Sequence, residues 1–186
     1  VPVHVPALPR QTVKDFLGQH LDLEEKTSTW AAHLSQGSPG RAMAFLPDEG
    51  DPGPLEVLRR RAFEIVTCAI ASSPAAGYRL AASFPPARAR QLIDLFTFVE
   101  EWLRDLAAAA AGADDLVINY DALSRLKKHA GSAGIVPSEV PEAFPAVERA
   151  RELARGNVNP QLVVSGLVRD LRGALLDSPP LTGTDR

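Results

Sequence analysis

The residues with chemical capacity in this chain are few and scattered. Arg41 stands in "QGSPGRAMAFL", Gln36 to Leu46, where Gly37, Ser38 and Pro39 precede an apolar run. Gly37 suits the left-handed end of a preceding helix, Ser38 suits the cap of the next, and Pro39 fits its first turn, where a missing N–H is not needed. A helix start also carries partial positive charge that favours phosphate. Arg41 therefore has two readings, a residue of a plain helix start or a phosphate-sensing side chain. The four histidines, His4, His20, His33 and His129, form no His-Glu-x-x-His pair, and Cys68 is the single cysteine. Neither a metal centre nor an internal disulfide is expected. Cys68 lies on the apolar stripe of its helix and reads as a buried structural thiol rather than a nucleophile. Glu24-Glu25, Glu100-Glu101 and Asp114-Asp115 are adjacent pairs. Neighbours on a helix point about 100° apart, so these read as solvated faces and not as paired general acids. Arg59-Arg60-Arg61 and Lys127-Lys128 are basic runs with the chemistry to touch phosphate, but runs this short read as solvent-facing. No Gly-x-x-x-x-Gly-Lys-Ser/Thr phosphate loop occurs. The inventory gives no catalytic group, so no enzyme activity is expected.

Composition narrows the class. The 186 residues are 45% hydrophobic, enough for one large domain or two small ones with a core. A net charge of −3 argues against a strongly basic nucleic-acid-binding domain, while leaving room for a local basic patch. One cysteine suits a reducing cytosol. No apolar run approaches the roughly 20 residues that span a bilayer, and the start does not resemble a secretory signal. A cytoplasmic protein with no membrane partner and no cofactor of its own is expected.

The elements that position these residues read as helices throughout. The exception is "VPVHVPALP", where Val1, Val3 and Val5 alternate with Pro2, His4 and Pro6 in a period-two pattern. Nothing downstream offers a sheet partner, so residues 1–8 read as the remnant of a preceding domain, cut inside its last strand, with an extended N-terminal arm as the alternative. Residues 9–48 read as three short helices, with inward stripes of Val13, Phe16, Leu17 and Leu21, then Thr27, Trp30, Ala31 and Leu34, then Ala42, Phe45 and Leu46. "PDEGDPGP", Pro47 to Pro54, reads as an acidic linker and domain boundary. Residues 54–178 form a larger helical block. Its first helix carries Leu55, Leu58, Ala62, Ile65, Val66, Ala69 and Ile70 on one stripe, and a short helix follows Pro74. The longest helix runs from about Pro86 to Ala111, with Leu92, Leu95, Phe96, Val99, Leu103 and Leu106 inward. "DDLVINYD" reads as a loop, "ALSRLKKHA" as a helix, "GSAGIVPSEVP" as a connector and "EAFPAVERARELARG" as a helix. The last helix has Asn159 as its cap, Pro160 in its first turn and Leu162, Val163, Leu167, Leu171 and Leu175 as its stripe. Residues 179–186 read as a frayed tail. The expected class is all-α with no fixed-period repeat.

Four segments, in this order, resemble the delta-prime subunits of bacterial DNA polymerase III clamp loaders. They are "VPVHVPALPRQTVKDFL", "LSQGSPGRAMAFL", "FTFVEEWLRDLAAAAAGADDLVINYDAL" and "ARGNVNPQLVVSGLVRDL". The resemblance spans nearly the whole chain. It implies a three-helix lid domain over residues 9–48 and a helical collar over 54–178, which in that family joins five subunits into a ring. The ring uses ATP bound by neighbouring subunits to open a sliding clamp and place it on primed DNA. Implied partners are the motor and delta subunits, with clamp and DNA engaged through the whole complex. In the related motor subunits a sensor arginine stands two residues after the Gly-Ser pair of the lid helix. Here Gly40 holds that place and Arg41 comes one residue later. That shift rotates the side chain by about 100° and favours the plain helix-start reading over nucleotide binding. Arg104 and Asp105 match the collar pattern. Being adjacent on a helix they are not expected to face each other, and each is free to bridge to another helix or subunit. Asn157, Asn159 and Pro160 match the entry to the last collar helix, where the asparagines satisfy backbone groups or reach a neighbouring subunit. Trp30 and Trp102 read as core or interface aromatics. The alternatives are the lid and collar of an active ATPase subunit, with Arg41 as a working sensor, and an unrelated helical adaptor.

Overall fold

In the computed structural model, which describes residues 6–71, 73–87, 89–156 and 158–176, the chain is all-α, with nine α-helices and no strand among the described residues. The expected strand at Val1–Val5 and the tail 179–186 lie outside the described residues. The chain divides into two compact units, Val1–Leu58 and Arg59–Arg186.

The first unit holds α1 (Arg10–His20), α2 (Glu25–Leu34) and α3 (Pro39–Phe45), packed on one another. Their stripes meet in a small core of Val13, Leu17, Ala31, Ala32, Ala42 and Leu46, with Phe16, Leu21, Leu23 and Trp30 packed against it. The alanines let the helix axes approach, and Leu34 and Phe45 add bulk. Each such buried leucine or phenylalanine contributes about 1.5–3 kcal/mol. The reversal between α2 and α3 uses Gln36 at φ 52° and Gly37 at φ 84°. Only glycine fits the second position. A Cβ there would lie 2.5 Å from the Leu8 carbonyl oxygen, and the Gly37 carbonyl accepts from the Leu8 N–H at 3.0 Å. Ser38 then caps α3, its Oγ accepting from the Arg41 N–H at 3.2 Å, with Pro39 as the first helical residue. The acidic linker contains a closed turn. Asp48 and Asp51 exchange two backbone hydrogen bonds of 2.9 Å across Glu49 (φ 48°) and Gly50 (φ 93°), the left-handed pair of a two-residue turn.

The next helix, α4 (Pro54–Ile70), contains the division between the units. The second unit continues with α5 (Pro74–Ala82), α6 (Leu92–Ala110), α7 (Leu123–Ala133), α8 (Phe144–Arg155) and α9 (Pro160–Leu176). Helix α6 lies against α7 and α8, and α9 lies against α8 and α5. All six apolar residues expected inward on α6 are buried, joined by Phe98, Trp102, Asp105 and Ala109. Arg151 on α8 ties to Glu100 on α6 at 2.8 Å and to Glu148 within its own helix. The hydrogen bond that Arg151 donates to Glu100 raises the Arg151 pKa above its ordinary value.

Three boundaries differ from the sequence reading. Helix α6 begins at Leu92 rather than Pro86, after a 3-10 turn over Ala89–Gln91. Helix α7 runs on through Gly131, Ser132 and Ala133, which read as connector. "DDLVINYD" folds into two 3-10 turns, Asp114–Leu116 and Tyr120–Ala122. The stripe of α9 also differs. It is Pro160, Val163, Val164, Leu167, Val168, Leu171 and Leu175, and Leu162 stands outside it at 67% exposed.

Candidate interaction surface

The sequence-predicted residues fall into different places. Asp105 is wholly buried on α6. Its Oδ1 accepts from the Ile118 N–H at 3.0 Å, and its Oδ2 accepts from the Asn119 N–H and the Asn119 side-chain amide, both at 2.7 Å. Asn119 Oδ1 in turn accepts from Arg59 at 3.0 Å, and the Arg59 guanidinium forks onto Asp121 at 3.0 and 2.9 Å. The indole N–H of Trp102 donates to the Arg59 carbonyl at 2.8 Å, and the Arg59 guanidinium sits 5.6 Å from the Trp102 ring. Burying these groups is tolerable because each charge meets hydrogen-bonding partners. The network pins the segment 118–121 to α4 and α6. It also corrects the reading of the Arg59-Arg60-Arg61 run as solvent-facing. Arg59 is 5% exposed, and Arg61 spans to Glu64 and Ser83 with the Phe84 ring beneath it.

Arg104 is half exposed and curls back to within 3.7 Å of Asp105 Oδ1. Adjacent helical residues do approach here, because the arginine side chain is long enough to fold over its own backbone. Arg41 lies across the end of α2, its Nε donating to the Leu34 carbonyl at 3.4 Å and its guanidinium 5.6 Å from the Phe45 ring. Asn159 Oδ1 accepts from the Gln161 N–H at 2.9 Å, and buried Pro160 is the first residue of α9. Asn157 lies outside the described residues. The five described residues, Arg41, Arg104, Asp105, Asn159 and Pro160, do not form one constellation. Among the described residues no group of three or more His, Cys, Asp or Glu side chains is placed to hold a metal ion, and no helix is long and apolar enough to cross a membrane.

What the fold does build is a cleft of about 150 Å³ where α4, α5 and α9 meet. Its lining includes Cys68 from α4, Gly77 and Tyr78 from α5, and Gly166, Arg169 and Arg172 from α9. The α5–α9 contact is close. A Cβ on Gly77 would lie 2.8 Å from Val168 Cγ1. Gln161 fastens the start of α9 to the end of α5 by donating to the Phe84 carbonyl at 2.9 Å and the Ala82 carbonyl at 3.3 Å. Arg172 donates to the Ala71 carbonyl and, at 3.4 Å, to the Ala69 carbonyl, placing a cation at the negative end of α4. Burial pushes the Cys68 thiol pKa up, Glu64 adds to the rise, and Arg79 opposes it. The thiol is therefore kept protonated, the opposite of an activated nucleophile.

Two large side chains on the helices α5 and α9 stand uncovered. Tyr78 is 70% exposed on α5, and Leu162 is 67% exposed one turn before Gly166 on α9. Tyr78 lines the cleft itself, together with Ser165, Gly166 and Arg169 of α9. The sequence reading missed both. The signal for Leu162 was present, since it sits about 100° off the line through Val163, Leu167 and Leu171. Tyr78 gave no signal, because its exposure depends on which side of α5 meets α9. No family model, curated protein or solved structure matches this chain.

Proposed function

We propose that the chain is the lid and collar portion of a clamp-loader delta-prime subunit, an assembly module with no catalytic site of its own. The first unit is the lid, and the second is the collar that joins sister subunits into the ring. ATP is bound by the neighbouring motor subunits, and sliding clamp and primed DNA are engaged through the complex in the cytoplasm. The observation that carries this reading is the exposure of Tyr78, which lines the α5–α9 cleft, and of Leu162 on α9. A collar needs apolar surface on its helices for sister chains to cover, above all on the last one. The order of the four resembling segments supports the same reading. Arg41 acts in it as a packing residue of the lid helix, held against Phe45 and the Leu34 carbonyl. The nucleotide-sensor alternative would require that side chain to leave those contacts.

The test is co-purification of the chain with the motor and delta subunits of its own clamp loader, for the natural sequence and for Leu162→Glu and Tyr78→Glu. Covering a leucine or tyrosine contributes about 1.5–3 kcal/mol. Each substitution is expected to weaken association by roughly tenfold or more, since 1.4 kcal/mol is a factor of ten. Exposed substitutions leave stability within about 0.5 kcal/mol. Association that is absent, or equal in all three proteins, overturns the proposal.

A further inference from the structure

The basic runs of the sequence leave a remainder once the structure assigns partners. Arg59 is used in the buried network, Arg61 pairs with Glu64, and Lys127 pairs with Asp114 at 2.5 Å. Arg125 and Lys128, both exposed on α7, have no carboxylate partner among the described residues. They are three positions apart and share a face. Arg125 lies 4.8 Å over the Phe63 ring of α4, and His129 meets the same ring edge-on at 6.0 Å. The result is a cationic face with a flat guanidinium already held on an aromatic ring, in a chain whose net charge is −3.

We propose that this α4–α7 face, through Arg125 and Lys128 with His129 beside them, binds the phosphate backbone of a single-stranded nucleic acid. The argument is charge complementarity joined to shape. Two uncompensated cations one helical turn apart match successive phosphates. A guanidinium stacked on an aromatic ring and exposed to solvent is a stacking platform for a base. Burial, then Lys128, then Arg125 lower the His129 pKa below its ordinary value, as expected where positive charge meets no counter-charge. A membrane surface is the poorer fit, because Leu126 and Ala130 of α7 are buried and Leu123 and Ala133 half-buried, so the helix offers no exposed large apolar side chain to insert. The proposal does not depend on the assembly reading.

The experiment is fluorescence anisotropy of a labelled oligothymidylate with the whole chain at about 50 mM salt, repeated with rising salt. Binding is expected to weaken at least about tenfold in Lys128→Glu and in Arg125→Glu. It is expected to change less than about twofold in Lys26→Glu, which alters net charge equally from an exposed position on α2 of the first unit. Engagement of two phosphates on a single strand predicts a log–log salt slope of about −1.4. The His129 ring resonances are expected to shift on adding the oligonucleotide to the unsubstituted chain. Lys128→Glu keeps the test decisive if Arg125→Glu disturbs Phe63. Equal weakening in all three variants overturns the proposal, as does an unmoved His129. Full competition by inorganic phosphate at equal phosphate concentration, or capture by phosphatidylglycerol vesicles with no oligonucleotide binding, also overturns it.

Discussion

Replacing Asp105 by alanine tests the part of the structure on which the second unit most depends. The carboxylate is 0% exposed and accepts three hydrogen bonds, from Ile118 N–H, Asn119 N–H and the Asn119 amide. Alanine leaves three donors without an acceptor, each costing about 1–3 kcal/mol if water does not reach it. Breaking a buried charged network from one side costs about 3–5 kcal/mol in practice, and that is the expected loss. Asparagine keeps one acceptor oxygen but presents its own N–H₂ towards a donor, so about half that loss is expected. The assay is urea unfolding followed by tryptophan fluorescence in a Trp30→Phe background, where Trp102 reports on the second unit alone. With a slope of roughly 2 kcal/mol per molar urea, the midpoint falls by about 1.5–2.5 M for alanine. Arg104→Ala, which removes only the half-exposed 3.7 Å contact, is expected to shift it by less than about 0.3 M. A shift under about 0.5 M for Asp105→Ala would show that the network does not hold the segment 118–121, and the reasoning fails.

Other outcomes follow from single contacts. Gly77→Ala would stabilise an exposed helix by about 1 kcal/mol. Here its Cβ meets Val168 Cγ1 at 2.8 Å, and valine has little rotamer freedom, so a loss of about 1–3 kcal/mol is expected at the Trp102 unfolding transition. Ser38→Ala removes the cap of α3 and is expected to cost about 1 kcal/mol, read from Trp30 fluorescence in a Trp102→Phe background. Alkylation of Cys68 by iodoacetamide is expected to show a pH midpoint above the ordinary thiol value of 9.0, because burial disfavours the thiolate. The sign for stability follows. The unfolded thiol loses its proton first as pH rises, so Cys68 contributes a decline in stability above about pH 9, which Cys68→Ser removes; a midpoint at or below the free-thiol value refutes the burial.

Much of the fold was legible because it is written in local spacing. The inward face of α6 follows from apolar residues three and four apart, and the start of α3 follows from the Ser38 hydroxyl and the Pro39 ring. Features set by contacts distant in sequence were not. Arg59 reads as solvated until Asn119 and Asp121, 60 and 62 positions away, arrive beside it. Gly131 and Ser132 read as part of a connector, yet α7 carries through them to a closing bond from the Ile135 N–H to the Ala130 carbonyl at 2.9 Å. Leu162 reads as part of the α9 stripe with Val163, although one residue is enough to turn a side chain off the stripe. The candidate surface depends on that residue and on Tyr78, so it came into view only with the packing of α5 on α9.

Native mass measurement of the chain mixed at micromolar concentration with the motor and delta subunits of the proposed assembly tests the central claim most directly. The account predicts one copy of the chain in a five-subunit assembly, and loss of that copy when Leu162→Glu replaces the natural residue. A chain that stays apart from those subunits, or a Leu162→Glu variant that assembles as well as the natural one, would contradict it.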